Sequence, residues 1–212
     1  MDLVNNEIFR EGKMRDCWYA DKRDLVKWGV LTILAEKYDA KNVIQVAYYN
    51  PCEFGRIEVD GEVHRIPDEV LSHFRNIGNI ESLAGPAKVS VFDAPFLKSN
   101  RAAYHDAVTK YIQLYKDSRG IVFLDPDTGL EPKGKADYKH ILDEEVRMVW
   151  NSLPKGWLLV FYQHQTNRSG LPWIEQKRAQ LAHALDLNEE EVKLAQGPKV
   201  ANDVTFFFAV KA

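Results

Sequence analysis

With 212 residues, 45% hydrophobic and 28% charged, the chain is long enough to bury a large core of its own, and its composition excludes disorder. A formal charge of -3 argues against binding nucleic acid through overall charge. Two cysteines, Cys17 and Cys52, make neither a disulfide framework nor a zinc-ligand spacing, which points to a reducing cytoplasm. The N-terminal residues lack a basic segment followed by an apolar one, and no apolar run reaches about 18 residues, so secretion and membrane insertion are disfavoured.

In chain order, the first element is a helix from Asp21 to Tyr38, whose Leu25, Trp28, Leu31, Thr32 and Ala35 recur at spacings of three and four. Asn42 to Tyr49 is β-branched and aromatic, stops at Asn50-Pro51 and reads as the first sheet strand. Arg56–Val59 and Glu62–Ile66 alternate apolar with polar around Asp60-Gly61, a hairpin signal because both turn residues tolerate positive φ. This hairpin, residues 56 to 66, reads as an insertion. A short helix from Asp68 to Asn76 precedes the strand Lys88–Phe92. A helix then starts at Ser99 or Asn100, a plausible cap, and runs to Ser118. The strand Ile121–Leu124, a helix over Ile141–Leu153 and the apolar run Trp157–Tyr162 follow. Pro172 opens a helix to Leu187, and Val192–Ala195 and Val204–Val210 are two antiparallel closing strands with a turn at Asn202-Asp203. Strands alternating with helices predict one domain over residues 1–212, a Rossmann-like three-layer α/β/α sandwich. Its sheet is mostly parallel, with an antiparallel terminal strand and the small hairpin inserted.

Polar residues fall at the carboxyl end of strand after strand: Asn50, Asp93, Asp125 with Asp127, then Gln163 with His164. In a parallel sheet these line one crevice, where open α/β sheets hold their ligands. The densest stretch is Asp125-Pro126-Asp127-Thr128-Gly129-Leu130-Glu131. Its Pro126 fixes the backbone after a carboxylate and leaves a main-chain carbonyl for a donor such as a nucleobase amine. His164 is the general-base candidate, its neighbours Gln163, Gln165 and Asn167 being able to fix a tautomer.

The strand-end Asp125-Pro126-Asp127-Thr128 and the helix stretch Ala20-Asp21-Lys22-Arg23-Asp24-Leu25-Val26-Lys27-Trp28 resemble two motifs of the bacterial ribosomal-RNA adenine-N6 methyltransferases. In that family the strand-end motif reads Asp-Pro-Pro-Tyr, and an Ala-Asp-x-x-Lys-His helix precedes the first strand. Asp24 and Lys27 fall on that helix's Asp and Lys, and Trp28 replaces its His. The turn after the first strand carries one glycine, Gly55, where the family has several. The resemblance implies S-adenosylmethionine as cofactor, held by Asp24, Lys27, Asn50 and Asp93. It implies an acceptor amine of RNA or DNA aligned by Asp125 and Pro126.

Two other readings stay open. Asp125, Asp127 and Glu131, with Asp93 and His164 nearby, form an oxygen-rich set that suits Mg²⁺ or Mn²⁺ in a phosphoesterase or nuclease. The third is a non-catalytic scaffold of the same fold.

Overall fold

The computed structural model describes residues 22–49, 56–70, 76–132, 137, 139–165, 172–197 and 199–212. Helix α1 (Lys22–Lys37) buries Val26, Leu31, Leu34 and Ala35 along one side and carries Asp24 in its first turn and Lys37 in its last, which complements the helix dipole. It ends where Asp39 turns left-handed, φ 53°, and Ala40 N–H bonds back to Ala35 O at 2.9 Å. Strand β1 (Asn42–Val46) follows directly.

Strands β2 (Arg56–Val59) and β3 (Glu62–Arg65) form the hairpin around Asp60 and Gly61, whose φ values of 53° and 82° fit the turn type that needs positive φ at both positions. All the residues of both strands are exposed, so the hairpin stands off the core. Residues 68–70 are helical, and the remainder of the short helix expected there, 71–75, lies outside the described residues. A 3₁₀ turn (Ile77–Ser82) leads to β4 (Lys88–Phe92), which lies at one edge of the sheet. The Glu81 carboxylate accepts the Val91 N–H at 2.9 Å, which satisfies an amide that an edge strand would otherwise leave unpaired.

Helix α2 (Arg101–Gln113) starts after Asn100. The Asn100 side chain does not cap it: it accepts from Leu97 N–H at 2.8 Å and donates to Pro95 O at 2.9 Å, holding the turn before the helix. Strand β5 (Gly120–Leu124) is wholly buried. Short β6 (Gly129–Leu130) pairs with β7 (His140–Ile141) ahead of α3 (Asp143–Ser152), three acidic residues filling that helix's first turn. Then come β8 (Leu158–His164), α4 (Trp173–Leu185), β9 (Lys193–Gly197) and β10 (Ala201–Val210).

The sheet has six strands in the order β4-β1-β5-β8-β10-β9. β4, β1, β5 and β8 run parallel, and β10 runs antiparallel to both β8 and β9. Alternate side chains of each inner strand enter different cores. Val43, Ile121, Phe123, Leu158 and Val160 pack under α1 with Leu31, Leu34 and Ala35. Ile44, Val122, Leu124, Leu159 and Phe161 pack under α2, α3 and α4 with Val108, Val149 and Leu181. The fold is α/β, a mostly parallel Rossmann-like sheet with helices on both faces.

Several boundaries differ from expectation: β1 ends at Val46 and not at Tyr49, and α2 ends at Gln113 and not at Ser118. β8 extends through Gln163 and His164, and β10 begins at Ala201, so Asn202 and Asp203 belong to a strand and form no turn. The cause is continued pairing: Val204 sits opposite His164, and Gln165 N–H bonds to Asp203 O at 2.8 Å. The β6–β7 pair has no expected counterpart.

Candidate functional site

The chain leaves β1 toward β4 on one side and reaches β5 on the other, so the strand order reverses between β1 and β5. Such a switch point opens a crevice at the carboxyl ends of the strands. Register aligns those ends: Val46 is opposite Phe92 and Leu124, and Leu124 is opposite Phe161. Residues 47–49, 93–95, 125–128 and 163–165 therefore share one edge, and a bridge between Tyr49 and Pro95 extends it. Antiparallel β10 brings Asp203 to the same edge beside His164. Asp93 stands exposed at the end of β4. Asn50 lies outside the described residues.

Asp125 continues the alternation of Ile121 and Phe123 and so turns under α1. Asp125 is 2% exposed, and its carboxylate accepts from Lys27 Nζ at 2.9 Å and from Gln45 Nε2 at 2.7 Å. Its own N–H bonds to Val46 O at 3.1 Å, tying the loop to the end of β1. Lys27 also donates to Asp24 at 2.7 Å, one helical turn away, and its ammonium lies 5.9 Å from the Phe123 ring centre and 5.7 Å from that of Tyr162. Burial works against the Lys27 charge, but Asp125 and Asp24 outweigh it and hold the pKa above its ordinary value. Burial pushes the Asp125 carboxyl up, against the pull of Lys27. Donating to both carboxylates at hydrogen-bonding distance, Lys27 stays charged and is shared between Asp24 and Asp125. Asp24 and Lys27 thus come together with Asp125, and Lys27 serves first to hold that carboxylate. Gln45 Oε1 is buried there with no donor among the described residues.

His164 faces the same layer. Its Nε2 is 3.3 Å from Asp203 Oδ2, and its Nδ1 is 3.0 Å from Gln165 O. Asp203 in turn pairs closely with Arg23 of α1, and the bond from Arg23 draws the Asp203 pKa below its ordinary value. Both imidazole nitrogens therefore face oxygen acceptors. Gln163 does not orient this ring. Its side chain points to the opposite face, where Oε1 accepts Leu130 N–H at 2.9 Å and Nε2 donates to Thr128 O at 3.0 Å and to His164 O at 2.8 Å. Gln163 thereby pins the acidic loop. Gly129 is required there, since its φ is +119° and an added Cβ would lie 2.4 Å from the Gln163 amide.

Within that loop Pro126 is buried and Asp127 is half-buried. Burial, opposed by Lys139 and His164, pushes the Asp127 pKa up to about 6. Glu131 departs toward the other face: its carbonyl accepts from Lys177 Nζ at 2.8 Å and from Gln180 at 3.1 Å. With Asp125 turned to α1 and Glu131 placed by α4, the proposed metal set is not assembled. No group of three or more His, Cys, Asp or Glu among the described residues could hold a metal ion.

The sequence reading missed Arg23, Gln45 and Asp203. Gln45 had a signal, being the one polar residue of the strand Asn42–Val46 whose flanking neighbours are all apolar. Arg23 and Asp203 meet from positions 180 residues apart, and no local pattern marks such a pair.

The sequence matches no family model and no curated protein. Among solved structures the chain is similar to a DUF574-family protein from Streptomyces avermitilis, at 11% identity and TM-score 0.45 over 90% of this chain and 82% of that one. It is similar also to a candidate methyltransferase from Thermobifida fusca, at 13% identity and TM-score 0.43 over 90% and 80%. A third is PigF with SAH, at 10% identity and TM-score 0.36 over 92% and 66%. Among the described residues, no helix is long and apolar enough to cross a membrane.

Proposed function

We propose that the crevice between β1 and β5 binds S-adenosylmethionine and directs methyl transfer to an amine. The observation that carries this reading is the convergence of Asp93 and Asp125-Pro126 on the carboxyl edge at the switch point. An acidic residue at the end of the strand next to β1 is where a Rossmann-like site takes ribose hydroxyls, and Asp93 occupies that place. The exposed carboxylate of Asp93 offers acceptor oxygens to such a group. Bound S-adenosylmethionine would supply an activated methyl group. The chain's own residues do the rest by position, because alignment of acceptor and donor contributes most of the rate in such a transfer. Lys27 and Gln45 hold Asp125 in one orientation, and Pro126 fixes the backbone after it and brings no N–H of its own. The finer reading is that the acceptor is a nucleobase amine of RNA or DNA. It is supported by the likeness of Asp125-Pro126 and of Asp24 with Lys27 to the adenine-N6 motifs.

A thermal-shift titration with S-adenosylmethionine, S-adenosylhomocysteine, Mg²⁺ and Mn²⁺ tests this. A ligand at a hundred times its dissociation constant stabilises the fold by about 2.7 kcal/mol. For a chain of this size that raises the midpoint by roughly 5–10 °C. Both adenosyl ligands should produce it and neither metal should. A response to the metals alone would reject the reading.

A further inference from the structure

The carboxylates along the sheet's edge are not equivalent. Asp24 and Asp125 share Lys27, and Asp203 is paired with Arg23 and His164. Asp93 is exposed to water. Asp127 differs from all of these: it is withdrawn from solvent, yet among the described residues it makes no hydrogen bond or ion pair. A partly desolvated carboxylate without a partner is costly, and a loop free to move would turn it outward.

This loop is not free to move. Gln163 grips it at Thr128 O and Leu130 N. Thr128 is fixed a second time, its N–H and hydroxyl both bonding to Lys139 O at 3.2 and 2.8 Å. Gly129 permits the turn only through its positive φ and its missing side chain. Three devices thus hold Asp127 where it lacks a partner. Gln45, one step inward on β1 and bonded to Asp125, likewise keeps a buried Oε1 with no donor among the described residues.

Resting on the functional reading above, we infer that Asp127 is the counter-charge for a cationic centre of the bound ligand, the sulfonium of S-adenosylmethionine. The charged groups acting on it are Lys139 and His164, which favour its ionisation, and Asp137 and Asp125, which oppose it. None of these is bonded to it among the described residues, so the carboxylate is available to a ligand. Burial dominates the balance and brings its titration to about 6, so it changes charge within the range where binding is readily measured.

The test is calorimetric binding of S-adenosylmethionine and S-adenosylhomocysteine to the wild-type chain and to Asp127→Asn, at pH 8 and pH 5. The two ligands differ by one methyl group and one positive charge, and the sulfonium keeps its charge at every pH. At pH 8 the wild type should prefer the sulfonium by about tenfold relative to the variant, the effect of one close charge in a partly desolvated site. That preference should shrink at pH 5 in the wild type and stay flat in Asp127→Asn, with S-adenosylhomocysteine affinity alike in both proteins. Equal weakening of both ligands, or a preference unchanged by the substitution, would overturn this inference and leave the functional reading standing. Failure of the wild type to bind either ligand would overturn both.

Discussion

A carboxyl that titrates higher in the folded protein than in the unfolded chain makes the fold less stable wherever it is ionised. Asp127 is raised from 3.8 to about 6 by burial. Below the unfolded value it is protonated in both states and contributes nothing. As the pH rises through the window from 3.8 to about 6 the unfolded chain ionises first, and folding stability falls. Above that window the cost is complete, at most about 3 kcal/mol at 1.36 kcal/mol per pKa unit. Partial solvent access to the side chain trims it to about 1–3 kcal/mol. Asp127→Asn keeps the shape and removes the charge, so the variant should gain that amount at pH 8 and lose the gain by pH 3.5. Urea denaturation at pH 3.5, 5 and 8 reads it as a shift of the transition midpoint at constant slope. No gain at pH 8, or a gain of the same size at pH 3.5, would refute the reasoning. A residue whose removal stabilises the protein is the pattern expected where a site's electrostatics are kept for ligand at the expense of the fold.

Two further substitutions probe the supports of the edge. Gly129→Ala forces a side chain into a positive-φ residue against the Gln163 amide and should cost about 3 kcal/mol by the same denaturation assay. Lys27→Met leaves Asp125 buried without its cation and should cost about 3–5 kcal/mol. Adding Asp125→Asn to Lys27→Met should restore more than half of that loss, and a double variant no more stable than the single one would contradict the shared-lysine geometry.

The sheet was legible because each inner strand is a near-continuous apolar run, and the hairpin because Asp60-Gly61 fits one turn type. The shared edge followed from the parallel order. What escaped the sequence reading was the face on which each edge residue lands. Successive strand residues point to opposite faces, so Gln163 cannot orient the ring of His164 and instead pins the loop on the other side. The same alternation, counted on from Phe123, sends Asp125 under α1 to Lys27. Asp24 and Lys27 stood together in the helix motif, but the carboxylate that Lys27 reaches, Asp125, lies about a hundred residues away and depends on how α1 crosses the sheet. The β6–β7 pair is too short to show any period.

Where an adenosyl ligand binds is measured directly by the amide chemical shifts of the isotope-labelled chain titrated with S-adenosylhomocysteine. Shifts should appear at Tyr48, Asp93, Asp125 and Asp127, while Asn42, Lys88 and Gly120 at the amino-terminal ends of the same strands remain silent. Perturbations confined to that opposite edge, or none at saturating ligand, would contradict binding at the carboxyl edge.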